Sequence, residues 1–426
     1  MTSLDRSTLR MGSLAPTGVL LSGLVGAAGI AATVILGADE SGWNNFWKSY
    51  LFGYMVAVGI SLGGLFFVML QHITRSGWSV SVRRLAEAFA SNLRWLWLGF
   101  VPIIILVWSG DGGVLYPWAD PEIVKSDIVL MKKQGYLNTT FWSIRAICFL
   151  AAWALLAQFF VGQSMKQDVD GNVARSRRMQ ALAPIGILVY GVSQTFAAVD
   201  WVMTLEPTWF STMFGVYWFA VSLTGFFSCL ILLACGLQSM GRLKGAISRE
   251  HYQDIGKLLF AFGVVFWAYI GYSQFMLIWY ANIPIETGWF LPRQLGAWKW
   301  VSLLLIVGHF ALPFVLLISR WTKRWRNLLA AIAFWMVLMM IVDVYWLVMP
   351  TLPPGVAHDA ASLAQLTEDV NSGAVSVGWN LTIANFTAVI GMLGLLKAGT
   401  FAALWRCSLV PVSDPRLDES LAFENI

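Results

Sequence analysis

Ten stretches of about 20 apolar residues occupy most of this sequence, near 17–37, 49–71, 85–108, 137–162, 180–203, 210–238, 256–281, 297–319, 328–349 and 377–397. A helix of that length crosses roughly 30 Å of hydrocarbon, where each backbone N–H and C=O must be paired within its own helix or within a closed barrel. A barrel would show alternating segments of about ten residues, whereas Val101 to Val107 and Leu328 to Ile341 run without alternation. The expected fold is therefore an all-α integral membrane protein with about ten transmembrane helices. Composition supports this: 12% of the 426 residues are charged, about half the share in soluble domains. The first stretch is long enough to cross and lacks a small-residue cleavage site, so it reads as a retained helix.

Orientation follows from the 28 Lys and Arg. Eighteen fall at the N-terminus and in the segments after the second, fourth, sixth, eighth and tenth stretches. Five fall on the other side, namely Lys48, Lys125, Lys132, Lys133 and Arg293. The positive-inside rule then puts both termini in the cytoplasm. The net charge of +5 is a topology signal spread over six segments, and no nucleic-acid partner is expected. Cys148, Cys229, Cys235 and Cys407 form no CxxC or CxxCH, so no cofactor held covalently or by metal ligation is expected in this chain. Two long outside segments, about 109–136 and 350–376, the second carrying Asp359, Glu368 and Asp369, read either as docking surface for a partner or as caps on the bundle.

The fifth and ninth stretches end alike. Asp200 and Asp343 each follow a Val and lie seven residues before a Pro, at an offset of 143 residues. Four helices separate them, so the two segments run the same way, and spans 2–5 and 6–9 read as parallel repeats. The expected organisation is a cytoplasmic segment 1–16, a peripheral helix 17–37, four-helix bundles at 49–203 and 210–349, a second peripheral helix 377–397 and a cytoplasmic tail 398–426.

Ionisable groups at membrane depth cost several kcal/mol unless paired or hydrated. Seven residues of rise put Asp343 about 10 Å below its helix end, with Asp200 at the matching depth in the first repeat. Arg145 on span 4 lies in the same leaflet as Asp200 and is its expected ion-pair partner, while Arg94 is expected either to snorkel to the cytoplasmic surface or to pair with Glu87. His309 falls in mid-span and His72 at a span end, depths that do not match a haem-ligating pair; His251 and His358 are placed in loops. His309 reads either as a packing residue or as a member of a proton path with Asp343, Asp200 and Glu206, in which Tyr345, Tyr217, Ser193, Gln194 and Thr195 hold water. Pro284 is expected to end span 7, with Trp279, Tyr280, Trp289 and Phe290 anchoring at the interface.

Several of these motifs occur together in one family. Asp200-Trp201 through Leu205-Glu206-Pro207 and Trp209 to Tyr217, then Tyr272 to Pro284, His309-Phe310-x-Leu312-Pro313-Phe314 and Asp343-x-Tyr345-Trp346 resemble the F subunit of bacterial alternative complex III, a quinol:electron acceptor oxidoreductase. The resemblance covers spans 5 to 9 and extends to the first four by layout. It implies an NrfD/PsrC-like subunit of the bacterial inner membrane, paired with a homologous C subunit beside a periplasmic iron–sulfur protein and c-type cytochromes. Iron–sulfur clusters and haem c then belong to partner subunits, and the quinol site is better supported in the C subunit. One departure is Ile285 ahead of Glu286, where the family pattern has two acidic residues.

The chain's own residues offer protein surface, contacts with membrane lipids, a lipid-facing quinone pocket or a proton route, and no electron transfer between metals. The expected function is a scaffold and proton conduit in a quinol-oxidising complex. A free-standing proton-coupled secondary transporter built from parallel four-helix repeats is the alternative.

Overall fold

A computed structural model describes residues 6–38, 43–350, 363–375, 377 and 381–425. Among the described residues there is no strand, and ten helices are long and apolar enough to cross a membrane: α1 (Leu14–Gly37), α2 (Asn44–Ile73), α3 (Val80–Trp108), α4 (Thr139–Asp170), α5 (Ala174–Trp201), α6 (Phe214–Ser239), α7 (Arg249–Ala281), α8 (Trp298–Ile318), α9 (Arg326–Val348) and α10 (Ile383–Trp405). The protein is a multi-pass, all-α membrane protein. The last helix lies further along the chain than the expected 377–397. Thr382 caps its start, with the Asn385 Oδ1 accepting from the Thr382 N–H at 2.7 Å, and the apolar run continues past Lys397 to Trp405. His358 and Asp359 lie outside the described residues.

Helices α2 and α6 are the central pair, buried along most of their length. Small residues permit their approach: a Cβ at Gly63 would overlap Phe226 and stand 2.9 Å from the Ser222 carbonyl oxygen. On one side of this pair α2 packs on α3 and α5, and α4 joins them; on the other, α6 packs on α7 and α9, with α8 between them. In hydrocarbon apolar side chains gain little by leaving lipid, so close van der Waals packing and interhelical hydrogen bonds hold helices together. The α1–α10 contact is the clearest case. Gly29 lies against Gly391, where a Cβ would meet backbone at 2.6 Å, and Thr33 and Thr387 share a hydroxyl hydrogen bond at 3.0 Å.

The basic connections and both chain ends meet at one end of the bundle. The C-terminal segment is clamped there by the buried pair of Asp414 with Arg83, next to Arg84, which pairs with Asp168 of α4 at 2.5 Å, while Glu87 sits 3.5 Å from each arginine. Ser420 donates to the Trp78 carbonyl at 2.6 Å and lies 3.2 Å from His251 Nε2. His251 thus belongs to the first turn of α7, where its Nδ1 accepts from the Ser248 N–H, and not to a loop. At the opposite end, residues 109–138 fold into short helices. Tyr116 and Trp118 are buried against the bundle while Ile123, Ile128 and Met131 face outward, so the segment caps the helices with one side and presents apolar residues with the other.

The glycine contact predicts a selective loss. Gly391→Ile forces α1 away from α10 and destabilises the chain by about 2 kcal/mol, read as a lowered thermal unfolding midpoint in detergent. Gly23→Ile, where a Cβ meets nothing within 4 Å, leaves the midpoint unchanged.

Candidate functional site

Two of the helices interrupt their α-geometry at the same level. Leu259–Phe266 of α7 and Leu305–Ala311 of α8 are π-helical, a geometry whose wider turns redirect backbone carbonyls and which recurs at functional sites. The carbonyl of Gly263 accepts from His309 Nε2 at 3.1 Å and from the Thr224 hydroxyl at 3.2 Å. Gly308 lets α8 lie close to α9: a Cβ there would stand 2.8 Å from Met339 Sδ, and its carbonyl accepts from Trp335 Nε1 at 2.7 Å. The next residue is His309, so this approach is what aims the imidazole at α9.

The imidazole faces Asp343. Its Nδ1 lies 3.6 Å from Asp343 Oδ2, and its ring stacks on the Trp267 indole with centroids 3.9 Å apart and planes 10° from parallel. Trp267 Nε1 donates to Asp343 Oδ2 at 2.6 Å, and the Tyr217 hydroxyl donates to Oδ1 at 2.7 Å. Asp343 and His309 are fully buried. Because a carbonyl can only accept, the Gly263 contact puts the His309 proton on Nε2 and turns the Nδ1 lone pair toward the carboxyl. A proton brought here would find two facing acceptors, Asp343 Oδ2 and His309 Nδ1. Closing the gap to hydrogen-bond length takes a shift of about 0.6 Å.

A cavity of about 690 Å³ adjoins this cluster. Tyr217 and Trp267 line it, so both groups that donate to Asp343 also face the cavity. The walls come from α7 and α8, including Phe275, Phe310 and Phe314, with Gln274, Arg293 and Ser302 as the polar groups toward one end. Tyr269, Tyr272 and Ile306 on its rim are each at least 60% exposed, which places the mouth on the surface that meets lipid.

Asp200, which shares its sequence context with Asp343, has different neighbours and lies one residue before the end of α5. Arg145 grips it with Nε to Oδ2 at 2.7 Å and Nη2 to Oδ1 at 3.1 Å, and the Tyr136 hydroxyl donates to Oδ1 at 3.0 Å. The expected ion pair is present. Each aspartate takes a tyrosine hydroxyl, but the helix that supplies Arg145 in the first half (α4) supplies His309 in the second (α8). The first carboxylate is neutralised by a permanent cation and the second is held by neutral donors.

The remaining expected members lie elsewhere. Tyr345 sits between Trp298 and Phe52, with ring centroids 5.1 and 5.6 Å away, not beside Asp343. Ser193 accepts from Trp153 Nε1 at 2.8 Å, Gln194 donates to the Gly215 carbonyl at 3.0 Å, and Thr195 packs on Gly215; these groups join helices and line no path to Asp343. Glu206 lies at the opposite end from the basic loops in the field of Arg293 and Lys48; burial raises its pKa and those two cations oppose the rise. Arg94 does not pair with Glu87, which is held between Arg83 and Arg84. Its Nε donates to the Ser91 carbonyl and its Nη1 to Gln158, both at 3.1 Å. His72 is buried and stacks on Phe160, a packing role.

Three residues at or near the site escape a reading of the sequence. Trp267 is one of 23 tryptophans, with nothing local to single it out. Gly263 acts through its backbone carbonyl, which its residue type does not announce. Arg293, counted among the outside charges, is buried: its Nη1 donates to the Trp289 carbonyl at 2.6 Å and its Nη2 to the Leu347 carbonyl at 3.1 Å, with the guanidinium over the Trp289 ring. Trp289 is accordingly buried and stacked on Trp209, not an interfacial anchor, whereas Trp279 and Tyr280 are exposed. Helix α7 ends at Asn282, in left-handed conformation with φ 47°, two residues before Pro284.

No protein-family model and no curated protein matches this chain, so the functional argument rests on its residues.

The Arg145–Asp200 geometry predicts strong coupling. Asp200→Asn or Arg145→Met alone costs about 3–5 kcal/mol, because each leaves a buried group without its partner. The double variant Arg145→Met, Asp200→Leu recovers most of that loss in reversible detergent unfolding. A double variant as unstable as the sum of the singles would show the two groups to be independent.

Proposed function

We propose that this chain is an integral membrane subunit of a quinol-oxidising complex of the alternative complex III kind, in which it holds a quinone-type lipid beside a proton route. Asp343, His309 and Tyr217 exchange the proton, and Trp267 orients the carboxyl. The observation that carries this reading is the double role of Tyr217 and Trp267, which line a lipid-facing aromatic cavity and donate to one buried carboxyl.

The chemistry assigns each group a task. Oxidation of a quinol releases two electrons and two protons. The chain offers no metal-ligand cluster among its described residues, so the electrons leave through metals of partner subunits: a homologous membrane subunit, an iron–sulfur protein and c-type cytochromes. A proton leaving a hydroxyl in the cavity passes to the Tyr217 oxygen as the tyrosine proton moves to Asp343 Oδ1, and Asp343 returns one from Oδ2 to His309 Nδ1. The aromatic walls fit a flat ring and an isoprenoid tail, and the polar end formed by Gln274, Arg293 and Ser302 can hydrogen-bond a ring oxygen. Glu206, near Arg293, is the next carboxyl toward the end away from the basic loops. Asp200 is assigned a structural role, since Arg145 binds both of its oxygens.

Two measurements test this reading. Gentle solubilisation and purification of the tagged chain should bring with it a c-type haem band in a reduced-minus-oxidised spectrum; a colourless single chain would favour the transporter instead. In sealed vesicles, Asp343→Asn should assemble, since an amide can turn its oxygen to Trp267 and its NH₂ to the Tyr217 oxygen, yet release fewer protons per electron than wild type. Tyr217→Phe should slow quinol-driven proton release by about a hundred-fold, the scale of a positioned acid–base group. Wild-type proton release in both variants would remove Asp343 and Tyr217 from the route.

A further inference from the structure

A second cavity, of about 470 Å³, opens at the basic end between the start of α7 and the α8–α9 connection. Its lining is of another kind: Arg249, Arg324 and Arg326 with Ser248, Asn327 and Tyr252, flanked by Trp321 and Trp325. Glu250 pairs with Arg324 through both oxygens, leaving an excess of two positive charges among these groups. Arg326 Nη1 is 3.5 Å from Gln238 Oε1, a neutral acceptor. Arg249 is exposed at the first position of its helix.

The backbone adds to this charge. The N-termini of α7, at Arg249, and of α9, at Arg326, both border the cavity. Trp325 gives α9 no side-chain cap, so the first N–H groups of that helix are directed outward at the cavity, where helix dipoles and unpaired donors favour an anion.

The surroundings say what kind of anion. Trp321 and Trp325 are 81% and 65% exposed, and Val315 and Ile318, 68% and 60% exposed, continue from them up the face of α8. Indole rings at this level mark the headgroup region of a bilayer, and the apolar strip above them suits an acyl chain. A soluble anion would need the arginines and nothing of that strip.

We propose that this cavity is a binding site for the phosphodiester headgroup of an anionic phospholipid. Arg249 and Arg326 take the phosphate oxygens, the amides at the start of α9 add donors, and the acyl chains run along Val315 and Ile318 past the two tryptophans. Neither the electron-transfer reading nor the Asp343 cluster enters this inference.

The test is native mass spectrometry of the full chain, in whatever complex it purifies with, titrated with phosphatidylglycerol and, separately, with phosphatidylcholine. The wild type should retain phosphatidylglycerol in preference to phosphatidylcholine. Arg249→Gln with Arg326→Gln should weaken phosphatidylglycerol binding about thirty-fold, at about 1 kcal/mol per basic residue, with the thermal midpoint unchanged. Equal retention of the two lipids by the wild type would overturn the proposal without recourse to any variant, as would a folded double variant with undiminished preference. A third arm adds inorganic phosphate: displacement of the lipid at equal concentration would identify the cavity as a site for soluble anions and overturn the lipid assignment.

Discussion

Hydrocarbon offers no water to a carboxylate, an imidazole or a backbone amide, so every polar group placed at depth in this chain must find its partner inside the protein. Asp200 and Asp343 answer that demand in different ways. Arg145 supplies a fixed opposite charge with two hydrogen bonds to Asp200, and the result is a structural joint between α4 and α5. Asp343 receives a phenol and an indole N–H, neither of which carries charge, and faces the His309 imidazole. Two aspartates that share a sequence context thus meet different partners, a cation in one case and neutral donors in the other. A cation that never releases its proton stands in the first place, and a histidine stands in the second.

The second arrangement is built where α7 and α8 are both π-helical. A backbone carbonyl has two lone pairs, and that of Gly263 accepts from the imidazole. The ring is fixed between Gly263 and the Trp267 indole with its other nitrogen toward Asp343. Residues of the same segments, among them Val265, Leu305, Ile306 and Phe310, line the aromatic cavity.

The two ends of the bundle divide the remaining polar work. At the basic end the C-terminal segment closes over Arg83, Arg84 and Glu87 and joins the α2–α3 turn to α7 through Ser420. That end also carries the cavity lined by Arg249, Arg324 and Arg326. At the other end Arg293 ties the α7–α8 connection to the last carbonyls of α9 under a layer of tryptophans. Both closures use arginine, whose planar fork reaches several acceptors at once.

The helix count, the all-α class and the Arg145–Asp200 pair were legible in the sequence, because length, hydropathy and helical rise depend on neighbours along the chain. The start of α10 was misplaced since the deciding capping box, Thr382 with Asn385, lies beside an apolar run that reads the same a few residues either way. Tyr345 and the Ser193-Gln194-Thr195 group were drawn into the proton path by residue type alone, and the tertiary structure turns them to other partners. The contacts that make Asp343 a candidate come from four helices, through Tyr217, Trp267, His309 and the Asp343 helix itself. Which faces of four helices converge is settled by glycine contacts and π-helical turns between distant segments. The sequence by itself determined that carboxyl groups stand within membrane-spanning helices, and only packing decided what each meets there.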